Sequence, residues 1–209
     1  MTQWLRIITA ISFVAAPFAA SAGDAERSWD FSVLLDGSPI GFHRFELVQE
    51  GDTQRLSSEA RFDVRFLFIN AFRYRHENRE QWHGECLQSI ESSTRQNGKE
   101  FSVNGARVGN RFVVEANGER DAVDECVMTF AYWNPGFLAR SRLLDPQSGQ
   151  YLPVEVEELG QQKFNVKGEQ VLASAYRIRA SKLELTVWYS DKDEWLGLES
   201  IAKGQGDSL

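Results

Sequence analysis

The sequence predicts a mainly β protein, an antiparallel meander of strands curled into a barrel or half-barrel. Apolar and polar residues alternate with a period of two over most of the chain, and turn-forming residues separate the alternating segments. These segments give about ten or eleven strands. Because the right-handed twist accumulates from strand to strand, a sheet of this size is expected to curl around its own apolar interior.

The alternation is longest in RLSSEARFDVRFLF, residues 55–68, and it continues in FRYRHENREQW, residues 72–82. A hairpin between these two segments would place Phe62 and Phe66 on the same face as Tyr74. Three further strands follow in CLQSIESSTRQ, NGKEFSVNG and RFVVEANGE, and Asn-Gly pairs at 97–98, 104–105 and 117–118 are strong turn signals. Strands resume with LPVEVEELG, QQKFNVKGE, VLASAYRIRA, LELTVWYS and EWLGLESIA.

The alternation is interrupted by one insert near 129–145, for which a short helix or an aromatic loop is predicted. It contains the segment FAYWNPGFL, residues 130–138, with four aromatic residues around an Asn-Pro-Gly turn. So many rings favour a plug that closes one end of the barrel and joins its core. A lid over the mouth, hinged at Gly136, is the alternative that the sequence leaves open.

Residues 1–22 have the layout of a secretory signal peptide, with a cation at Arg6, an apolar run from Leu5 to Phe18 and small residues at 20–22. The run is shorter than the ~20 residues that a spanning helix needs. We therefore expect cleavage after Ala22 and a periplasmic or secreted protein without a transmembrane anchor. Residues 23–209 are predicted to form a single β-barrel-like domain.

The chain is acidic, with 23 Lys and Arg residues against 30 Asp and Glu residues and a formal net charge of −7. Without a basic cluster to offset this charge, nucleic acid is not an expected partner. Two cysteines, Cys86 and Cys126, are predicted to form a disulfide after export. Closing that loop would contribute about 4 kcal/mol in the chain-entropy model.

One stripe of the strand at 72–82 is unusual, because His76, Asn78 and Glu80 lie between aromatic residues on the face expected to point inward. Buried polar groups cost about 1–3 kcal/mol each when they lack partners, so these three should contact one another, water or a ligand. The plainer alternative is an open half-barrel in which they are merely solvated. A catalytic interpretation would make His76 a general base oriented by Glu80.

Other functional classes have little support in the sequence. A metal site at His76 would need His43 or His83, yet His83 falls on the opposite face, so neither a metal nor a cofactor is expected. Asp191, Asp193 and Glu194 lack the spacing of a calcium loop and predict a charged turn between two strands. Hydrolase and nucleotide-binding motifs do not occur.

The segments FAYWNPGFL, LLDPQSGQYLPVEVEELG and VWYSDKDEWLGLES resemble an uncharacterised family of secreted proteobacterial proteins, a domain of unknown function. The resemblance spans nearly all of the mature chain but implies no activity for any residue. In architecture alone, the long meander is similar to the periplasmic half-barrels that carry lipoproteins to the outer membrane. Because fold does not fix function, this second likeness assigns no ligand.

We therefore expect a binding or carrier protein for an apolar or amphipathic, lipid-like small molecule held in an aromatic-lined cavity. Alternatives are a small periplasmic enzyme and an envelope scaffold that binds a partner through an exposed sheet edge. The ligand's identity and the oligomeric state are left open. The residues predicted to contact the ligand are His76, Asn78, Glu80, Tyr74, Trp82, Phe62, Phe66, Tyr132 and Trp133.

Overall fold

The computed structural model describes residues 25–66, 69–123, 126–181 and 183–200, without the side chains of residues 25, 65–66 and 69–71. The predicted signal peptide and its cleavage site lie outside the described residues. So does the side chain of Phe66.

An antiparallel sheet of eight strands forms the first part of the fold, and its strands pair in the order in which they occur in the chain. Its strands are β1 (Ala25–Leu35), β2 (Ser38–Glu50), β3 (Thr53–Phe66), β4 (Ile69–His83), β5 (Cys86–Gln96), β6 (Lys99–Val108), β7 (Arg111–Ala116) and β8 (Glu119–Val123). The sheet begins at β1 and ends at β8, and these two edge strands do not pair with each other over the described residues. The predicted half-barrel is confirmed, in its open form.

The period-two alternation gives this sheet an inner and an outer face. Leu47, Leu56 and Trp82 lie on the inner face and are at most 5% exposed. Their neighbours Glu46, Arg55 and Gln81 are exposed on the outer face. Phe62 of β3 pairs with Tyr74 of β4, so the predicted 62–82 hairpin has the expected register. Residues beyond this pair extend past both neighbouring strands, since β2 ends its pairing at Phe62 and β5 at Tyr74.

Two of the three Asn-Gly turn predictions are confirmed. Asn97-Gly98 and Asn117-Gly118 connect strands, and all four residues adopt the positive φ that a type I′ turn requires. The prediction for Asn104-Gly105 is wrong, because both residues lie inside β6. A Cβ at Gly105 would lie 2.7 Å from Cε1 of Phe112, so this glycine makes room for a buried ring.

The insert between the sheets is the predicted break in the alternation. It contains a 3₁₀ helix (Pro135–Ala139), capped by the Asn134 side chain, and a two-stranded sheet of β9 (Arg142–Leu144) and β10 (Tyr151–Pro153). Cys126 at its start is bonded to Cys86 at the first residue of β5, which confirms the predicted disulfide. The bridge attaches the insert to the middle of the large sheet.

A four-stranded antiparallel sheet completes the fold, with β11 (Glu155–Val166), β12 (Glu169–Ala180), β13 (Leu183–Tyr189) and β14 (Trp195–Ser200). LPVEVEELG and QQKFNVKGE do not form separate strands, because β11 continues through a bulge between Glu158 and Gly160. Short β9 and β10 lack an alternation long enough to be seen in the sequence. The described structure therefore has fourteen strands, where about ten or eleven were predicted.

Aromatic rings join the two large sheets. Trp195 of β14 packs against Phe31 and Phe45 of the eight-stranded sheet, with ring centroids 4.4 and 5.0 Å apart. From the insert, Phe137 is fully buried in the same core and Tyr132 lies 5.3 Å from the Trp195 ring. The core is therefore built between the inner face of the large sheet, the insert and the small sheet. No helix of the described residues has the length and apolar character to cross a membrane.

Candidate functional site

The inner face of the large sheet changes from aromatic to polar to apolar along the length of its strands. At the projecting end, the rings of Phe62, Phe72 and Tyr74 form what we call the aromatic ladder. Phe62 and Phe72 stack on Tyr74 with centroid distances of 5.1 and 6.3 Å, and all three residues are half-buried. None of them packs against the main core of the described residues. The ladder is thus an accessible apolar surface.

The next two cross-strand rows are polar, and we call them the polar strip. Register pairs His43 with Ala60, Ala60 with His76 and His76 with Thr94, so one row crosses four strands. The following row places Ser58, Asn78 and Ser92 side by side. The strip consists of His43, His76, Thr94, Ser58, Asn78 and Ser92.

Glu80 lies below the polar strip, where its carboxylate is surrounded by donors of the protein. Oε1 accepts a hydrogen bond from Asn78 Nδ2 at 2.9 Å, and Oε2 accepts bonds from Trp82 Nε1 at 2.9 Å and Thr129 Oγ1 at 3.4 Å. Burial raises the pKa of Glu80 above its usual value, and these three bonds oppose that rise. The carboxylate joins β4 to the insert, so its bonds are structural.

Both imidazoles of the strip are held in the neutral form. Burial lowers the pKa of His76 to about 4, partly opposed by Asp145, and lowers that of His43 to about 3, where His76 adds repulsion. Nδ1 of His76 shares a hydrogen bond of 2.8 Å with Thr94 Oγ1. At neutral pH, these side chains therefore offer uncharged donors and acceptors.

Two polar atoms of the strip have no hydrogen-bond partner among the described residues. They are His43 Nε2 and Asn78 Oδ1, and both are buried. An orphaned buried acceptor or donor costs roughly 1–3 kcal/mol, so a native fold normally supplies a partner. Within the described part of the chain, both atoms are therefore free to accept a partner such as a water molecule or a ligand group.

A turn of the insert covers one side of the strip. Tyr74 Oη donates to Gln147 Oε1 at 3.1 Å, and Ser92 Oγ bonds to the backbone oxygen of Pro146. Asp145 organises the turn by accepting bonds from Gln147 N at 3.0 Å and Ser148 Oγ at 2.6 Å. The turn thus ties the end of the aromatic ladder to the insert.

The remaining predicted ligand contacts lie elsewhere. Trp82 and Trp133 are 0% and 4% exposed and pack edge to face in the core, 5.5 Å apart, and are therefore not positioned to line an accessible wall. Tyr132 is half-buried between Phe137 and Trp195. Segment 130–138 packs as a plug, because its rings fill the core.

The proposed acid–base pair of His76 and Glu80 is not formed, because His76 bonds to Thr94 and both Glu80 oxygens are occupied by other donors. The described residues contain no group of three or more His, Cys, Asp or Glu side chains suited to a metal ion.

Between β13 and β14, Ser190 Oγ accepts bonds from the backbone N–H groups of Lys192 and Glu194, which builds the predicted charged turn.

Several contributors to the site are absent from the predicted ligand contacts: Phe72 of the ladder, His43, Thr94, Ser58 and Ser92 of the strip, and Asp145 and Gln147 of the turn. His43 shares its parity with Phe45 and Leu47, and that signal could have placed it on the inner face. Asp145 and Gln147 belong to a turn whose position over β4 and β5 follows from tertiary packing, so no local pattern indicates it.

An open groove of about 790 Å³ lies on the outer face, away from the polar strip. Charged side chains of both signs line it, including Glu46, Arg79, Glu91, Glu115 and Arg120. An enclosed aromatic cavity around His76 was expected. The polar strip instead adjoins packed side chains on one side and the half-buried ladder on the other.

Comparison with known proteins gives the fold and the family. A β-barrel-like protein of the domain of unknown function DUF1849 from Brucella abortus has a similar structure, with a TM-score of 0.53 and 9% sequence identity over 85% of this chain and 90% of that chain. At this identity the likeness concerns the fold alone. No curated protein matches the sequence. The model of the domain of unknown function DUF6134 matches residues 31–206, and the chain therefore belongs to that family.

Proposed function

We propose that this protein is an exported binding protein for an amphipathic small molecule that lies along the inner face of the large sheet. The observation that carries the proposal is the direct adjacency of the aromatic ladder and the polar strip. Accessible rings adjoin buried polar atoms that lack partners among the described residues. A molecule with an apolar body and a polar head complements both surfaces.

The apolar body would stack on Phe62, Phe72 and Tyr74. The three rings are nearly parallel, with interplanar angles of 10° and 9°, and they adjoin one another, so together they form a continuous apolar patch. Aromatic side chains bury about 150–250 Å² each, and covering half-exposed rings supplies a sizeable apolar contribution to binding.

The polar head would bond to His43 Nε2 and Asn78 Oδ1, and because both atoms are closed to solvent, binding requires the side chains above them to move. Asn78 Oδ1 is an acceptor, so the head must bring a donor such as a hydroxyl, an amide or a protonated acid. Because burial keeps both imidazoles neutral, the strip offers an anionic head no counter-charge. The ligand class is therefore a neutral, lipid-like molecule with a hydrogen-bond donor.

Export and the single-domain organisation of residues 23–209 are part of the proposal. The Cys86–Cys126 disulfide supports an oxidising compartment, since reducing cytosol disfavours such bonds.

The test measures binding of an environment-sensitive apolar fluorophore and of lipids released by organic extraction of the purified mature protein. Phe72→Ser should weaken fluorophore binding about tenfold, which corresponds to 1.4 kcal/mol. Phe42→Ser is the matched control, because Phe42 is a half-buried ring of the same sheet on the outer face. Equal effects of the two substitutions, or an extract without bound lipid and no fluorophore binding, would refute the proposal.

A further inference from the structure

Three arginines occupy adjacent positions in one row across the outer face. Arg61 of β3 pairs with Arg75 of β4, and Arg75 pairs with Arg95 of β5. We call them the arginine row. Side chains directly opposite each other on neighbouring strands begin about 4.5–5.5 Å apart, and like charges in this arrangement are destabilising. An anion placed over the row would relieve this repulsion.

The carboxylates nearby compensate only the two ends of the row. Glu59 forms an ion pair with Arg61, and Glu100 forms one with Arg95. Toward the projecting end of the hairpin, Asp63 is engaged by Arg73 at 3.1 Å. These three carboxylates leave the central arginine uncompensated.

Arg75 forms no ion pair within the part of the chain that the structure describes, although it is half-buried. The register places Glu77 in the next row, opposite Glu59, and no bond from it to Arg75 is formed. A half-buried arginine whose register partners on both sides are also arginines has lost part of its hydration without gaining a counter-charge.

We infer that the arginine row binds a phosphate group. Guanidinium groups recognise phosphate through paired hydrogen bonds, and the tetrahedrally arranged oxygens of one phosphate can contact more than one of them at once. The two sources of such a group are a soluble phosphate ester and the headgroup of a phospholipid. The site lies on the face opposite the polar strip, so it is independent of the function proposed above.

The first test measures the thermal stabilisation of the mature protein by inorganic phosphate, with acetate at equal ionic strength for comparison. Phosphate should stabilise the wild type more than acetate does, and Arg75→Gln should weaken its apparent affinity about tenfold. Arg79→Gln is the matched control on the same strand and face, where the register partners are Ser57 and Glu91. Equal effects of phosphate and acetate, or of the two substitutions, would overturn the inference.

A second readout separates a ligand site from a structural role. Without phosphate and at low salt, Arg75→Gln should leave the melting temperature unchanged or raise it, because it relieves repulsion. A lower melting temperature would show instead that Arg75 supports the fold. Vesicles then identify the source: binding to phosphatidylglycerol over phosphatidylcholine, lost in Arg75→Gln, supports a headgroup, whereas glycerol phosphate binding without vesicle binding supports a soluble ester.

Discussion

His43 and His76 lie in the same cross-strand row of the large sheet and are separated only by Ala60. Both imidazoles lie on the inner face, and burial lowers the pKa of each. This relationship makes the fold sensitive to acid.

We predict that stability falls as the pH drops below 6.5. The unfolded chain binds protons at His43 and His76 near pH 6.5, whereas the folded chain binds them only near pH 3 and 4. As the pH falls, the unfolded state therefore gains protons before the folded state does. The stability that depends on the two neutral histidines is fully lost near pH 3. The free energy of unfolding is expected to decrease by on the order of 3 kcal/mol between pH 6.5 and pH 4, because residual solvation weakens the effect of burial.

Urea unfolding followed by tryptophan fluorescence at several pH values measures the slope of the free energy of unfolding against pH. His76→Gln should reduce the slope, because it removes one titrating group while its amide can still bond to Thr94. Glu80 acts in the opposite direction, since its raised pKa favours the folded state as it becomes protonated. If the slope is unchanged in His76→Gln, the loss of stability at low pH does not come from His76.

Glu80→Gln is predicted to destabilise the protein by about 1–3 kcal/mol. The carboxylate accepts bonds from Asn78, Trp82 and Thr129, and an amide would direct its own N–H groups at one of these donors. Equilibrium unfolding in urea provides the measurement. Glu91→Gln, on the exposed face of β5, should change the free energy of unfolding by less than about 0.5 kcal/mol. Similar losses in both variants would argue against a buried network.

Replacing both cysteines by serine is predicted to lower the free energy of unfolding by about 4 kcal/mol, since the bridged residues are 40 apart in sequence. Thermal unfolding of the double variant and of the reduced wild type should agree, because each lacks the same constraint. A melting temperature unaffected by reduction would show that the bridge adds little to stability.

Gly149→Ala is predicted to displace the turn that covers the polar strip. Gly149 has a φ of +73°, and a Cβ there would lie 2.3 Å from Cβ of Ala116. Both effects destabilise, by about 1 kcal/mol or more in total. Gly118→Ala is the control, because Gly118 also has positive φ but open space around it. Hydrogen exchange at Gln147 should rise in the first variant alone.

Strand parity explains how much of this structure can be predicted from sequence. Alternation placed Phe62, Tyr74, His76 and Asn78 on one inward face, because side chains of a strand point to opposite sides in turn. Alternation says nothing about what packs above that face. The contacts of Glu80 with Thr129 and of Tyr74 with Gln147 join residues 49 and 73 positions apart, and no local pattern encodes such pairs.

The turn prediction from Asn-Gly pairs failed at the position where the glycine has a packing role. Asn104-Gly105 resembles the two Asn-Gly turns in composition, but the ring of Phe112 occupies the space beside Gly105. Tertiary packing therefore overrides the local turn preference at that position. Likewise, the rings of the ladder and Trp82 lie on the same face by the period-two alternation. Only the three-dimensional structure shows that the ladder is accessible and that Trp82 is buried.

The rings of Trp29 and Trp195, one from each large sheet, have centroids 6.4 Å apart at an angle of 49°. Two indoles held this close at a fixed tilt couple their electronic transitions, which gives a circular dichroism signal that neither ring has alone. The natural protein thus contains an optical reporter of inter-sheet docking, and its loss can be timed without attaching a dye.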